Sequence, residues 1–275
     1  MKSYLKTKDF LITGEEFRLE LDSDLDMLVT QPQPENLAAY YQSEDYISHS
    51  DASKTTMDKI YQRVKKYSIK KKIQLINSFT NTNKTLLDVG AGTGDFLIGA
   101  KNQGWKVCGM EPSTTAIEKA LEKGVTLYPD FTELQNKKFD VITLWHVLEH
   151  LPDVERQIKN LKNLLNDNGT LIVAVPNYKS FDAKWYKENW AAYDVPRHLW
   201  HFSRTSISKI FGRHNMEVVK TKPMWFDSFY VSLLSEEHIN KRKNVFRAFA
   251  VGLWSNYRAL FNKECSSVIY VLKNV

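Results

Sequence analysis

The chain has almost no cysteine. Among its 275 residues only Cys108 and Cys265 carry thiols, far apart and each in an apolar, strand-like run. No CxxC or HExxH occurs, so the usual thiolate and paired-histidine metal sites are excluded. Two buried free thiols in a reducing compartment are expected. Long apolar runs are missing too. Mean hydropathy is −0.42, and no stretch reaches the ~18 apolar residues that a bilayer span requires. The opening MKSYLKTKDFLITGEEF has no apolar core of a secretory signal, which makes a cytoplasmic location the expectation. Internal repeats and low-complexity tracts are absent. What is present is an ordinary globular composition, 43% hydrophobic and 25% charged, which argues against long disorder. The length suits one large domain with an extension.

Charge is mildly basic, +6 net. Part of the excess lies in Lys59, Arg63, Lys65, Lys66, Lys70, Lys71 and Lys72. On a helix, Lys59, Arg63, Lys66 and Lys70 share one stripe, opposite Ile60, Val64 and Tyr67. The stripe reads as a solvated face, with an anionic partner as the alternative.

Residues 1–55 differ from the rest. They hold short apolar patches, the acids Asp22, Asp24 and Asp26, the turn-rich QPQPEN and the aromatics of AAYYQSEDYISH. They are read as an N-terminal extension or lid on a domain spanning 56–275. Thr55 or Thr56 caps a long amphipathic helix running to about Phe79. From Thr85 strands and helices alternate. LLDVG, WKVCGME, VTLY, FDVITLWHVL and TLIVAVP read as strands. Asp95–Gln103, Ser113–Lys123 and Asp153–Asn166 read as helices. This order predicts an α/β fold, a parallel sheet covered on both faces. Residues 177–203 read as a long aromatic loop, followed by a helix over Ser203–His214. MEVVKTKP and SSVIYVLKN read as two last strands around a largely helical insert, about 225–266.

The sharpest local signal is Asp88-Val-Gly90-Ala91-Gly92-Thr-Gly94-Asp95, which follows a strand and opens a helix. Glycines there permit a tight turn and a close ligand approach. NAD sites use a related loop, but three details argue against NAD. The spacing is GxGxG rather than GxGxxG. Asp88 precedes the loop, where a carboxylate repels a pyrophosphate and suits the cationic amino-acid part of S-adenosylmethionine. Glu111 ends the next strand about 20 residues on, the place of a ribose-binding acid, and Pro112 follows it.

Together, LLDVGAGTGDFL, GMEPS, Asp130 and FDVITLWHVLEHLPD resemble class I S-adenosylmethionine-dependent methyltransferases, over residues 84 to about 176. The resemblance implies a Rossmann-like, doubly wound sheet of seven strands, order 3-2-1-4-5-7-6, with strand 7 antiparallel. It also implies roles. Gly90, Ala91, Gly92 and Gly94 line the methionine part, and Glu111 takes the ribose hydroxyls. Asp130 reaches the adenine amine with Phe131 beside the ring, and Trp145 and His146 flank the cofactor. Asp88 and Pro112 complete the set. S-adenosylhomocysteine is the implied product, and no metal is implied.

Methyl transfer to oxygen or carbon also needs alignment and a proton acceptor. His146, Glu149 and His150 lie where strand 4 ends, on the ligand side of an open α/β sheet; ordering the loop is their alternative role. WAAYDVPRHLWHFS supplies Tyr193, Arg197, His198 and His201 as acceptor-binding candidates, with His198 the candidate base and Arg197 suited to an acidic acceptor. The alternative is a packing loop whose histidines bond to backbone. This segment resembles the PRHLWHF stretch of one branch of the family, a small-molecule or quinone type.

That branch often begins with a cysteine-bearing, zinc-ribbon-like segment. Here DSDLDMLVTQPQPENLAAYY has aspartates in place of a CxxC, so a metal-free ribbon acting as lid or partner surface is expected. Tyr40, Tyr41, Tyr46 and His49 are candidates to close over the cofactor or to pack on the long helix. Residues 244–261 are apolar but interrupted by Arg247, Asn256 and Arg258. They suit a helix over the acceptor pocket, a homodimer face, or peripheral contact with a membrane or lipid-like surface. The chain is expected to be a monomer or homodimer that methylates a small molecule: a sugar, a quinone-like ring or a lipid-linked intermediate. The rivals are nucleic-acid or protein methylation and a non-catalytic binding protein. No NPPY-type tetrapeptide follows strand 4, so nucleic acid is not the expected partner.

Overall fold

The computed structural model describes residues 1–41, 56–79, 84–135 and 137–275. Thr55, Tyr46 and His49 lie outside the described residues. Three short strands open the chain: β1 (Lys2–Lys8), β2 (Glu16–Asp22) and β3 (Met27–Gln31). Helix α1 (Thr56–Ile76) leads into the main sheet. There β4 (Thr85–Val89), β5 (Lys106–Met110), β6 (Leu127–Tyr128), β7 (Phe139–Trp145) and β8 (Leu165–Pro176) alternate with α2 (Asp95–Lys101), α3 (Thr114–Glu122) and α4 (Val154–Leu164). The pairing order of the seven strands is β10-β11-β8-β7-β4-β5-β6, where β10 is Met216–Pro223 and β11 is Ser267–Asn274. Counted along the main sheet, this is the expected 3-2-1-4-5-7-6 order. β11 runs antiparallel to both neighbours.

Period-two burial explains why this sheet carries helices on both faces. Leu87, Ile142 and Leu171 point into one cluster with Val154, Ile158 and Leu161 of α4. Their neighbours Leu86, Val141 and Ile172 point into the other, with Leu75 and Ile76 of α1 and Leu97 and Ala100 of α2. Ser113 caps α3 by accepting the Ala116 amide, and Asp153 caps α4 by accepting the Arg156 amide. The NDNG turn lies within β8, which therefore starts at Leu165, and α4 ends at Leu164 rather than Asn166. Arg63, Lys66 and Lys70 are exposed, as a solvated stripe requires, but Tyr67 is exposed as well. Both cysteines are free; Cys265 is buried and Cys108 half-buried.

Two segments hold more structure than their patterns suggested. Residues 177–203 are not merely a loop: they include α5 (Phe181–Tyr186) and β9 (Trp200–His201). β9 completes a second, antiparallel sheet of order β1-β2-β3-β9. The N-terminal strands thus take their fourth member from the far side of the main domain. Arg197 fastens the junction from within, its guanidinium reaching Asp9 at 2.8 Å and Asp194 at 2.7 Å. Within the main domain, buried Asp182 accepts from Trp190 Nε1, Ser255 Oγ and Ser266 Oγ. After α6 (Arg204–Gly212) and β10, the insert folds as α7 (Asp227–Asn240) and α8 (Val245–Asn262) before β11.

Candidate active site

The loop after β4 crosses the end of β5. Gly90 and Ala91 both donate their amides to the Met110 carbonyl. Gly90 has φ of +72°, and a Cβ there would fall 2.3 Å from Val147, so the position admits glycine only. Gly92 has φ of +53° and, among the described residues, nothing within 4 Å of where its Cβ would be. Its amide donates to Glu111 Oε2 at 2.9 Å, and Ser113 N donates to Oε1 at 3.1 Å. Loop and acid therefore form one polar cradle over the ends of two adjacent parallel strands. Gly94 is buried at the start of α2. Pro112 and Asp130 are exposed at the rim; Asp130 accepts the Thr132 amide, and the Thr132 side chain first, then that amide, hold its carboxyl below the usual range. Phe131, beside it, is half-buried against the core.

Asp88 sits beneath the loop rather than on its surface. It is 3% exposed and accepts the Thr143 hydroxyl at 2.6 Å. Burial pushes its carboxyl up to about 7, against the opposing pull of Thr143 and of Lys72. Lys72 of α1 is a site residue that the sequence reading placed only in a run of surface charge. Its ammonium lies 4.3 Å over the Trp145 ring. Burial lowers its pKa, and Asp88 and Asp227 oppose that. Trp145 also meets Phe96 edge-on, and its buried Nε1 has no acceptor among the described residues.

The end of β7 turns sharply at His146, a non-glycine residue at φ of +59°. Such backbone strain persists where the surroundings enforce it. Here His146 Nε2 meets Asp227 Oδ2 at 3.0 Å, and Nδ1 lies 3.4 Å from Glu149 Oε1. Burial alone would lower the imidazole; the two carboxylates outweigh it and push its pKa up to about 10. His146 is thus an imidazolium at neutral pH and holds a proton rather than taking one. Asp227, from the insert, was absent from the sequence-based site because nothing local marks it.

Glu149 is 1% exposed, and neither carboxylate oxygen has a hydrogen bond among the described residues. Burial raises its pKa, but His146 outweighs burial and keeps it ionised. Glu149, His150 and His198 bring one ligand-type atom each within 4.8 Å of one another; among the described residues this is the group that could hold a metal ion. His198 Nδ1 donates to the Ala192 carbonyl at 2.9 Å, which leaves Nε2 as a lone pair. Burial first, then the neighbouring His150, keeps its pKa far below the ordinary histidine value. His150 is only half-buried, and its Nδ1 meets Tyr41 Oη at 2.9 Å and the Arg197 carbonyl at 3.1 Å. Tyr41 thereby brings the N-terminal segment to the site. Tyr40 instead pairs with Glu15 and the Phe17 ring.

The aromatic loop turns its candidates inward. Tyr193 is 2% exposed, packed on Trp190 and His201. Arg197 donates to Asp9, to Asp194 through Nε and Nη2, and to the Tyr40 carbonyl. Thr30 gives its hydroxyl proton to the His198 carbonyl, so His201 Nε2 must donate to Thr30 Oγ1, at 3.0 Å. Burial drops the His201 pKa to about 3. The aspartates of the N-terminal turn are likewise structural. Asp22 accepts the Asp24 and Leu25 amides, while Asp26 takes Lys179, Ser203 and Tyr178.

Residues 61–221, more than half of the chain, match the family described as "Methyltransferase domain". The ubiquinone biosynthesis O-methyltransferase of Haemophilus ducreyi is 32% identical over 108 residues, 34% of this chain and 46% of the relative. Its counterpart in Actinobacillus pleuropneumoniae serotype 7 is 35% identical over 108 residues, with the same two shares. The chain spans about half the length of these curated relatives. Among solved structures, the magnesium protoporphyrin IX methyltransferase of Synechocystis PCC 6803 with bound SAH aligns with a TM-score of 0.58 at 16% identity, over 86% of this chain and 97% of that one. A cyclopropane synthase from Mycobacterium tuberculosis aligns at 0.55 and 13% identity, over 88% and 99%. At such identities the likeness is one of fold.

Proposed function

Because the chain belongs to the methyltransferase-domain family, we propose that it transfers a methyl group from S-adenosylmethionine to a hydroxyl or carbon acid of a small-molecule acceptor. The cradle of Gly92 and Glu111, with open space over Gly92, carries this reading. The residues fit the cofactor. Glu111 would take the ribose hydroxyls, the glycine loop the methionine part, Asp130 and Phe131 the adenine, and the unpartnered Trp145 N–H an acceptor atom on the ligand. When bound, the cofactor supplies a methyl group activated by a sulfonium.

The protein's own part is to align the acceptor, exclude water and take a proton. We assign the proton to His150, the half-buried imidazole of the cluster. Glu149 behind it is a positioning residue whose negative charge stabilises the imidazolium that forms. The acceptor O–H or C–H bond breaks toward a His150 ring nitrogen as the new bond to methyl forms. His146, already protonated, supplies fixed positive charge beside the acceptor. Tyr193, Arg197 and His201 serve in this proposal to hold the wall of the site. The relatives named as ubiquinone biosynthesis O-methyltransferases support oxygen as the acceptor atom.

The test is transfer of radiolabelled methyl from S-adenosylmethionine into an extract of the source cells, fractionated by chemical class. Label in small molecules or lipid, lost with Gly92→Arg, is expected. Label in protein or nucleic acid would move the acceptor class. Cofactor binding without label in any fraction would mean that the acceptor reading is wrong for these cells.

A further inference from the structure

Helix α8 is oriented against the usual rule. Its small residues face the body: Ala248, Gly252, Ser255 and Ala259 are buried. A Cβ on Gly252 would come within 2.8 Å of the Phe229 ring and 3.0 Å of its Cα, so α7 and α8 pack backbone to backbone there. The large side chains face out. Phe246, Phe249, Leu253, Tyr257, Leu260 and Phe261 recur every three or four positions on the opposite face, and all are exposed. Phe246 is 91% and Phe261 72% exposed, which is extreme for phenylalanine. The face runs the length of an 18-residue helix, about 27 Å. It continues onto Trp225 and Phe226, also exposed, where Asn256 Nδ2 donates to the Trp225 carbonyl at 2.8 Å. The next residue is Asp227, the partner of His146. A contiguous apolar surface of this kind marks an interaction site.

Charge selects the occupant. Residues 241–263 contain Lys241, Arg242, Lys243, Arg247, Arg258 and Lys263 and no acid. Of the neighbouring acids, Glu236 and Glu237 pair with Arg247 at 3.2 Å and Lys243 at 3.5 Å, and Glu264, next in sequence, accepts from Asn177 Nδ2 at 2.7 Å. Two copies joined through this face across a two-fold axis would set cationic flank against cationic flank, with no acid of the segment between them. An anionic lipid surface offers the opposite charge around an apolar layer. No helix among the described residues is long and apolar enough to cross a membrane, so the helix would lie in the interface plane.

We infer that the outer face of α8 docks the protein on an anionic bilayer surface, with the mouth of the site beside Phe226 at the lipid boundary. Vesicle binding needs no turnover, so its outcome is independent of the proposed methyl transfer. The full chain is sedimented with vesicles of phosphatidylcholine alone or with about 30% phosphatidylglycerol. Binding to the phosphatidylglycerol vesicles, weakened by salt, is expected. The double variant Phe246→Ser/Phe261→Ser should bind roughly tenfold or more weakly, with an unchanged far-UV circular dichroism spectrum and unchanged cofactor affinity. Failure of the full chain to bind those vesicles overturns the inference, as does a double variant that binds like the parent. A dimer in analytical ultracentrifugation that the double variant converts to monomer, without vesicle binding, would assign the face to a second copy instead.

Discussion

His146 Nε2 lies 3.0 Å from Asp227 Oδ2, joining the end of a central strand to the first turn of the helical insert. The insert thereby contributes a side chain to the candidate site. Because Asp227, with Glu149, lifts His146 to about 10, their ion pairing contributes stability fully below the ordinary value of 6.5. That contribution is lost as pH rises through about 10. Asp227→Asn should bring the ring titration of His146, followed by NMR, down toward neutrality. The alkaline loss of stability should begin at lower pH in the same variant. A titration left near 10 would show that Asp227 does not govern it.

Two glycine substitutions should separate binding from folding. Gly92→Arg places a side chain in open space and should abolish cofactor binding in calorimetry at a cost of about 1–2 kcal/mol for the left-handed backbone. Gly90→Val adds a direct collision with Val147 and should destabilise by about 2–4 kcal/mol in urea. Equal effects on stability would contradict the different surroundings of the two positions.

Asp88 makes a pH-dependent prediction of the opposite sign to His146. A carboxyl whose folded pKa is raised to about 7 costs the folded state progressively as pH rises from the ordinary 3.8 to about 7. Asp88→Asn, which keeps an acceptor for the Thr143 hydroxyl, should gain on the parent across that window and hold a constant difference above it. Thermal unfolding at a series of pH values reads this directly.

Arg197 should matter for stability more than for chemistry. Its guanidinium and the Asp9 carboxylate are both essentially inaccessible. Arg197→Met should therefore cost about 3–5 kcal/mol by leaving buried acids uncompensated. Although burial raises Asp9, Arg197 together with the Thr13 and Leu11 amides outweighs it and holds the carboxyl below 3.8. The contact thus stabilises above that pH, and its contribution is lost as pH falls through the lowered value. Urea titrations of the parent and variant between pH 3 and 7 test both statements.

Replacing the proposed proton acceptor, His150→Gln, should lower kcat by about 10²–10⁴-fold with cofactor affinity intact. Glu149→Gln should shift the pH profile of kcat rather than abolish turnover. Unchanged kcat in both would remove the cluster from the mechanism.

Much of the main domain was legible because its signals are local. The glycine loop, the acid at the end of the next strand and the alternation of apolar runs with capped helices each act within a few residues. One local signal was passed over: in Glu16–Asp22, Phe17, Leu19 and Leu21 alternate with polar residues, the period of a half-buried strand. Its charged, aspartate-rich surroundings hid it. The residues of the aromatic loop left two readings open, a binding loop and a packing loop. Histidine, arginine and tyrosine beside the open end of a sheet suit a ligand, and they suit equally well the inside of a second sheet.

By itself the sequence determined the parallel sheet, its strand order through the family resemblance, and the glycine loop with Glu111 at the next strand end, since backbone turn chemistry and hydrophobic period are short-range properties. Only the tertiary structure decided which polar groups are spent on one another. Arg197 meets Asp9 across 188 positions of chain, and His146 meets Asp227 across 81 (227 − 146). Lys72 reaches the site from a helix that otherwise reads as solvated. Charge, burial and protonation depend on what lies within a few ångströms in space, and folding brings together partners that sequence spacing leaves unrelated.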